Sequence, residues 1–160
     1  MLLTELIRED LIKINLEAKD KWEAIEELID VLISAHELSL SDRTEVVKAV
    51  LEREKSLSTG LEHGVAIPHG AVDCLDDLVG VLGTTPGIPF QSHDDQDARL
   101  IILLLIPKGA FQHHVRTLAG IAKLGSIPTV REKICHANTA TEVMEALKES
   151  DLTEGMPPME

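Results

Sequence analysis

Arg99-Leu100-Ile101-Ile102-Leu103-Leu104-Leu105-Ile106, closed by Pro107-Lys108-Gly109, is the stretch that decides the fold. Every position from Leu100 to Ile106 is apolar, without the alternation of a half-exposed strand. A run of this length between turn residues is the pattern of a strand buried on both faces. It predicts the centre of a sheet.

Outward from that strand, Leu78 to Thr84 reads as another, closed by Pro86-Gly87 and Pro89. Gly64 to Pro68 reads as a third, and Leu11 to Ile14 as a short fourth. Helices fill the intervals. From Asp20 to about His36, Trp22, Ile25, Leu28, Ile29 and Leu32 recur at three- and four-residue steps, with Asp20 as N-cap and Glu23 completing a box-like pair. His36 falls at the helix end, where it suits the dipole. A second helix, capped by Ser41 or Asp42, turns Val46, Val47, Val50 and Leu51 inward and runs to about Glu54. A third runs from Phe111 or Gln112 to Leu124 with Gly125 as its stop, and a short one follows through Cys135. Thr139 and Glu142 cap the last helix. Strands alternating with helices predict an α/β fold: a single layered domain over residues 1–150, a mixed β-sheet flanked by helices on both faces. Residues 151–160 read as a flexible tail.

A chain of 160 residues is long enough for one core without metals or disulfides. Its net charge of −13 argues against nucleic acid or an anionic membrane as partner, and aromatics at 2% leave little for base stacking. Cys74 and Cys135 form no CxxC and are expected as small buried hydrophobes. No secretory segment and no apolar run of about 20 residues is present, which predicts a cytoplasmic protein without membrane insertion. Gln91 to Asp97 carries possible ligands for a hard cation. It lacks the glycine and final glutamate of a calcium loop and reads as a solvated turn.

The chemistry points to Ser56-Leu57-Ser58-Thr59-Gly60-Leu61-Glu62-His63-Gly64-Val65-Ala66-Ile67-Pro68-His69-Gly70. Pro68 fixes its own φ and Gly70 permits dihedrals other residues avoid, so His69 is expected to sit rigidly at the end of a strand. A neutral imidazole there is a nucleophile, base or ligand; the plainer reading is a histidine capping a turn. Arg53 falls in the last turn of the preceding helix, where a dipole contact is its plainest role. His113 and His114 lie in the first turn of the third long helix, whose free N–H groups suit phosphate. Their ring directions diverge by about 100°, so both are not expected in one site.

Arg53-Glu54, Ser58-Thr59-Gly60 and Gly64-Val65-Ala66-Ile67-Pro68-His69 together resemble the active-site segment of enzyme IIA domains of the fructose–mannitol type in the bacterial phosphoenolpyruvate-dependent phosphotransferase system, which include the nitrogen-regulatory IIA proteins. His114-Val115-Arg116-Thr117-Leu118-Ala119 is similar to the family's second histidine segment, so the likeness spans the chain to Ser150. The resemblance implies the same α/β class. It also implies a phosphotransferase in which His69 takes phosphate from the small histidine phosphocarrier protein, with His114 orienting the group and Arg53 offsetting its charge. Two departures stand out: Gly70 in place of a frequent alanine, and His63 where a smaller or uncharged residue is usual.

No Walker A or GxGxxG pattern calls for a nucleotide cofactor. His63, His69, His113, His114 and Cys135-His136 lack the spacing of a metal site, so no metal is expected. No IIB-like cysteine loop or IIC-like membrane segment is attached, which leaves three roles: a nitrogen-regulatory protein with a regulatory target, the favoured reading; a sugar-specific component passing phosphate to a IIB cysteine; and a binding module that transfers nothing.

Overall fold

The computed structural model describes residues 2–153. The apolar run forms β5 (Ala98–Pro107), and residues Leu100 to Leu105 are all 0% exposed, so both its faces are covered. It pairs antiparallel with β4 (Val79–Ile88) on one side, and β4 pairs parallel with the short β1 (Ile12–Lys13). On its other side lie β2 (Val65–Ala66) and β3 (His69–Val72), both parallel to it. The sheet is therefore mixed and five-stranded.

The period of two along β5 assigns its side chains to two cores. Leu100, Ile102, Leu104 and Ile106 pack with Leu3 and Leu6 of α1 (Leu3–Leu6), with α4 (Phe111–Gly125), α5 (Pro128–Cys135) and α6 (Ala140–Thr153). Ile101, Leu103 and Leu105 pack against Ile25, Leu28, Val46 and Val50 of α2 (Lys21–Ser34) and α3 (Arg43–Ser56). The α/β layered class read from the sequence is the one observed. No helix among the described residues is long and apolar enough to cross a membrane.

The local signals act with adjustments. Asp20 accepts from the Glu23 N–H at 2.8 Å, while the Glu23 carboxylate reaches the Lys19 N–H at 3.0 Å instead of the cap's own. Thr139 accepts from the Glu142 N–H at 3.2 Å, and Glu142 reaches back to Asn138. α3 runs to Ser56, one half-turn past the expected end. β4 extends through Pro86-Gly87 to Ile88; the proline is tolerated because the register shifts between Thr84 and Ile88, which takes it out of the ladder.

Three expectations are corrected. His69 opens β3 instead of ending the preceding strand, because pairing with β5 keeps one register from Ala66↔Ile101 to His69↔Leu104 across Ile67-Pro68. Cys74 is exposed, not buried, because it follows β3 in an acidic turn outside both cores; Cys135 is half-buried. α6 continues through Thr153, and Asp151 accepts from the Thr4 hydroxyl at 2.7 Å, so the first residues assigned to a tail belong to the fold. Residues 154–160 lie outside the described residues.

Leu103→Ala is expected to cost about 2–5 kcal/mol in chemical denaturation, since it empties a site closed by both β4 and the α2/α3 layer. A loss below 1 kcal/mol would contradict the central position of β5.

Candidate functional site

His69 stands at the start of an edge strand. Its neighbour Gly70 turns to the α3 side, where a Cβ would meet Val50 Cγ2 at 3.0 Å and the Val50 backbone N at 3.2 Å. Gly70 is not among the residues with positive φ, so the glycine serves close approach of α3 and not unusual dihedrals. That approach brings the C-terminal turn of α3 round the sheet edge. Arg53 and His69 line one open depression with Glu52, Ala71, Lys108 and Phe111. The imidazole is half-buried, and its ring lies 6.2 Å from the Phe111 ring at a 32° tilt.

One contact fixes the chemistry of that ring. His69 Nδ1 lies 2.9 Å from the Ile67 carbonyl oxygen. A carbonyl only accepts, so Nδ1 carries the hydrogen and Nε2 of the neutral ring keeps its lone pair. Burial holds the His69 pKa below its ordinary 6.5; the Ile67 bond opposes this, the Arg53 guanidinium adds to it, and the Glu54 carboxylate opposes it again. The neutral, nucleophilic form is thereby favoured near pH 7.

Glu54, one residue beyond Arg53, faces inward and is 2% exposed. Its carboxylate accepts from Lys21 Nζ at 3.1 Å, from the Thr59 N–H at 3.0 Å and from the Thr59 hydroxyl at 2.5 Å. Lys21 is itself buried, with Nζ 5.0 Å from the Trp22 ring centre and 5.7 Å from that of Phe90. This network ties α2, α3 and the loop before His69 together. The loop is braced further on: the Ser58 hydroxyl donates to the Phe90 carbonyl, Asp94 accepts from the His63 N–H at 2.9 Å, and the Thr59 carbonyl accepts from the Ile67 N–H at 3.1 Å. His63 itself is exposed, with φ 68°.

His114 is buried in the first turn of α4 and lines a neighbouring depression with Asp76, Asp77, Leu78, Pro107, Ala110 and His113. The two depressions flank the Pro107–Phe111 segment. His69 and Arg53 therefore share one and His114 borders the other. The two adjacent histidines do converge, contrary to the divergence expected from helical spacing: their rings meet edge to face with centroids 4.8 Å apart, because side-chain rotation offsets the backbone angle. Burial lowers the His114 pKa, His113 adds to it and Asp77 opposes it. Its Nδ1 is buried with no hydrogen-bond partner among the described residues.

Sequence reading missed Lys21 and Glu54 as supports of the site. The signal was there in a Glu directly after Arg53 on a helix whose apolar stripe is short, but nothing local announces a partner 33 residues upstream.

The pattern described as phosphoenolpyruvate-dependent sugar phosphotransferase system, EIIA 2, matches residues 5–150. The chain belongs to this EIIA 2 family. A nitrogen regulatory protein of Bradyrhizobium diazoefficiens is 32% identical over 148 residues, covering 92% of this chain and 95% of its own. The fructose-specific EIIABC component of Bacillus subtilis is 29% identical over 152 residues, and this chain spans 24% of its length. The crystal structure of nitrogen regulatory protein IIA-Ntr from Neisseria meningitidis superposes with a TM-score of 0.81 at 30% identity, covering 91% of this chain and 98% of that one. The EIIA chain is thus a phosphotransferase-system component with both nitrogen-regulatory and sugar-specific relatives.

Two measurements follow for this EIIA domain. Lys21→Met leaves the buried Glu54 carboxylate without its cation and is expected to cost about 3–5 kcal/mol in urea unfolding, most of it recovered in Lys21→Met/Glu54→Gln; no loss in the single variant would mean that the pair does not brace the loop. An NMR titration is expected to place the His69 midpoint below 6.5, and a midpoint at or above it would contradict the burial described. The unfolded chain then binds more protons than the native one. The stability held by the neutral rings of His69 and His114 is full above 6.5 and is lost as pH falls through their lowered values.

Proposed function

We propose that this protein is a histidine phosphocarrier of the phosphotransferase system, accepting phosphate on His69 from the small histidine phosphocarrier protein in a nitrogen-regulatory-type role in the cytoplasm. The observation that carries the reading is the Nδ1 bond to Ile67, which leaves Nε2 free in a depression that also holds Arg53.

Nε2 attacks the phosphorus of the donor's phosphoimidazole in line. A new N–P bond forms at His69 as the donor's N–P bond breaks, and the bonding pair returns to the donor ring as its lone pair. Water takes no part. Such transfer asks the protein for alignment and for offset of charge on the equatorial oxygens. Arg53 supplies charge, anchored by an N–H···O bond of 2.8 Å to the Leu57 carbonyl. We assign His114 the task of hydrogen-bonding the transferred group: it lies one helical turn beyond Phe111, and its buried Nδ1 has no hydrogen-bond partner among the described residues.

The nitrogen-regulatory role rests on the likeness to IIA-Ntr along nearly the full chain. A sugar-specific role, with transfer to a IIB cysteine, is the second reading and rests on the fructose-specific relative. Phosphorylation adds about two negative charges to a chain already at −13, which changes the partner surfaces it tolerates in either role.

With phosphoenolpyruvate, enzyme I and the phosphocarrier protein, wild type should acquire one acid-labile phosphate and His69→Ala none; full labelling of that variant would defeat the assignment. His114→Ala is expected to fold and to accept phosphate slowly. Rapid passage of label to a IIB cysteine would select the sugar route over the regulatory one.

A further inference from the structure

The lining of the His69 depression holds two cations, Arg53 and Lys108. Lys108 follows β5 directly, and its N–H donates to the carbonyl of Val72, the last residue of β3, at 2.9 Å, so the β3–β5 pairing continues one residue beyond β5. Along β5 and its extension, Leu104, Ile106 and Lys108 share one side by the period of two, opposite His69, Ala71 and Asp73. The lysine thus stands at the far end of the row that starts with His69. Ala71 lies between them, is exposed and carries only a methyl group, so β3 places no bulky side chain across the path. Phe111, which the His69 ring approaches, is three residues beyond Lys108.

Lys108 is occupied in this state. Its Nζ lies 3.0 Å from Asp73 Oδ2, with the two side chains 60% and 74% exposed. An ion pair so exposed is weakly held, so an anion in the depression can compete with Asp73 for the ammonium. Arg53 and Glu54 are the charges that act on the bare His69 ring, and the Lys108 ammonium is paired with Asp73.

Resting on the phosphocarrier reading above, we propose that Lys108 is a second phosphoryl-binding cation of this site, held by Asp73 while His69 is bare and turning to the phosphoryl oxygens when the group is on Nε2. A long, flexible stem that carries the cation at its exposed tip suits that exchange. Asp73 sets the cost of recruiting it.

The test compares wild type, Lys108→Met, Lys108→Arg and Asp73→Asn, phosphorylated in parallel by phosphoramidate and by the phosphocarrier protein. Labelling rates are followed together with the phosphorus-31 pH titration of the phosphohistidine. Lys108→Met should label about three- to tenfold more slowly at low salt, with the difference shrinking as salt is raised. Its phosphoryl group should titrate at higher pH than in wild type, since a nearby cation favours the dianion. Lys108→Arg should restore both, and Asp73→Asn should label faster than wild type. A Lys108→Met protein with wild-type rate and wild-type phosphorus titration overturns the role of the lysine while leaving the carrier intact. Absence of label from His69 of wild type with either donor overturns the carrier reading and this one with it.

Discussion

The hydrogen bond between His69 Nδ1 and the Ile67 carbonyl decides which face of the imidazole meets the outside. It exists because of how the chain is tied on either side. The Ile67 N–H is taken by the Thr59 carbonyl, Pro68 has no N–H to offer, and the Pro68 carbonyl is taken by the Leu104 N–H at 3.0 Å. With those groups committed, the Ile67 carbonyl is the acceptor left beside the ring. The side chain is thereby oriented by its own backbone two residues earlier, and the nitrogen turned outward is the one with the lone pair.

That local bond would be of little use on a loose loop. Glu54 prevents this by holding Thr59 through two hydrogen bonds from the inside of α3, while Arg53, the next residue along the helix, faces the depression. Two adjacent charged residues thus face opposite ways: one is buried and neutralised by Lys21, the other lines the depression. Close approach of α3 to Gly70 sets the distance between them and the strand. The electrostatics agree with this division, since burial and Arg53 both hold the His69 pKa below its ordinary value.

Much of this was legible in the sequence, for reasons that differ by element. The seven apolar residues from Leu100 to Ile106 could belong only to a doubly covered strand, and Asp20 and Thr139 cap the helices they precede. The Pro68-His69 pair singled out His69 because a proline beside an imidazole restricts where it can point, and the ring lines a depression with Arg53. What escaped was non-local. The Lys21–Glu54 pair joins two helices through the core. Cys74 was read in the acidic turn after Val72 but expected to be buried, and there it is exposed. Gly70 was legible as a special position but for the wrong cause: only the packed helix shows that space, not φ, demands it. The convergence of the His113 and His114 rings depends on rotamers, which helical spacing does not specify.

The site therefore comes down to one ring with a fixed tautomer, one fixed guanidinium and a braced loop, placed at a sheet edge where a partner can reach them. The most direct test is nitrogen-15 NMR of the His69 ring, free and phosphorylated. The account predicts a proton on Nδ1 and a bare, pyridine-like Nε2 in the free protein at neutral pH, and a nitrogen–phosphorus coupling at Nε2 after phosphorylation. A proton on Nε2 in the free protein, or phosphorus on Nδ1, would contradict it.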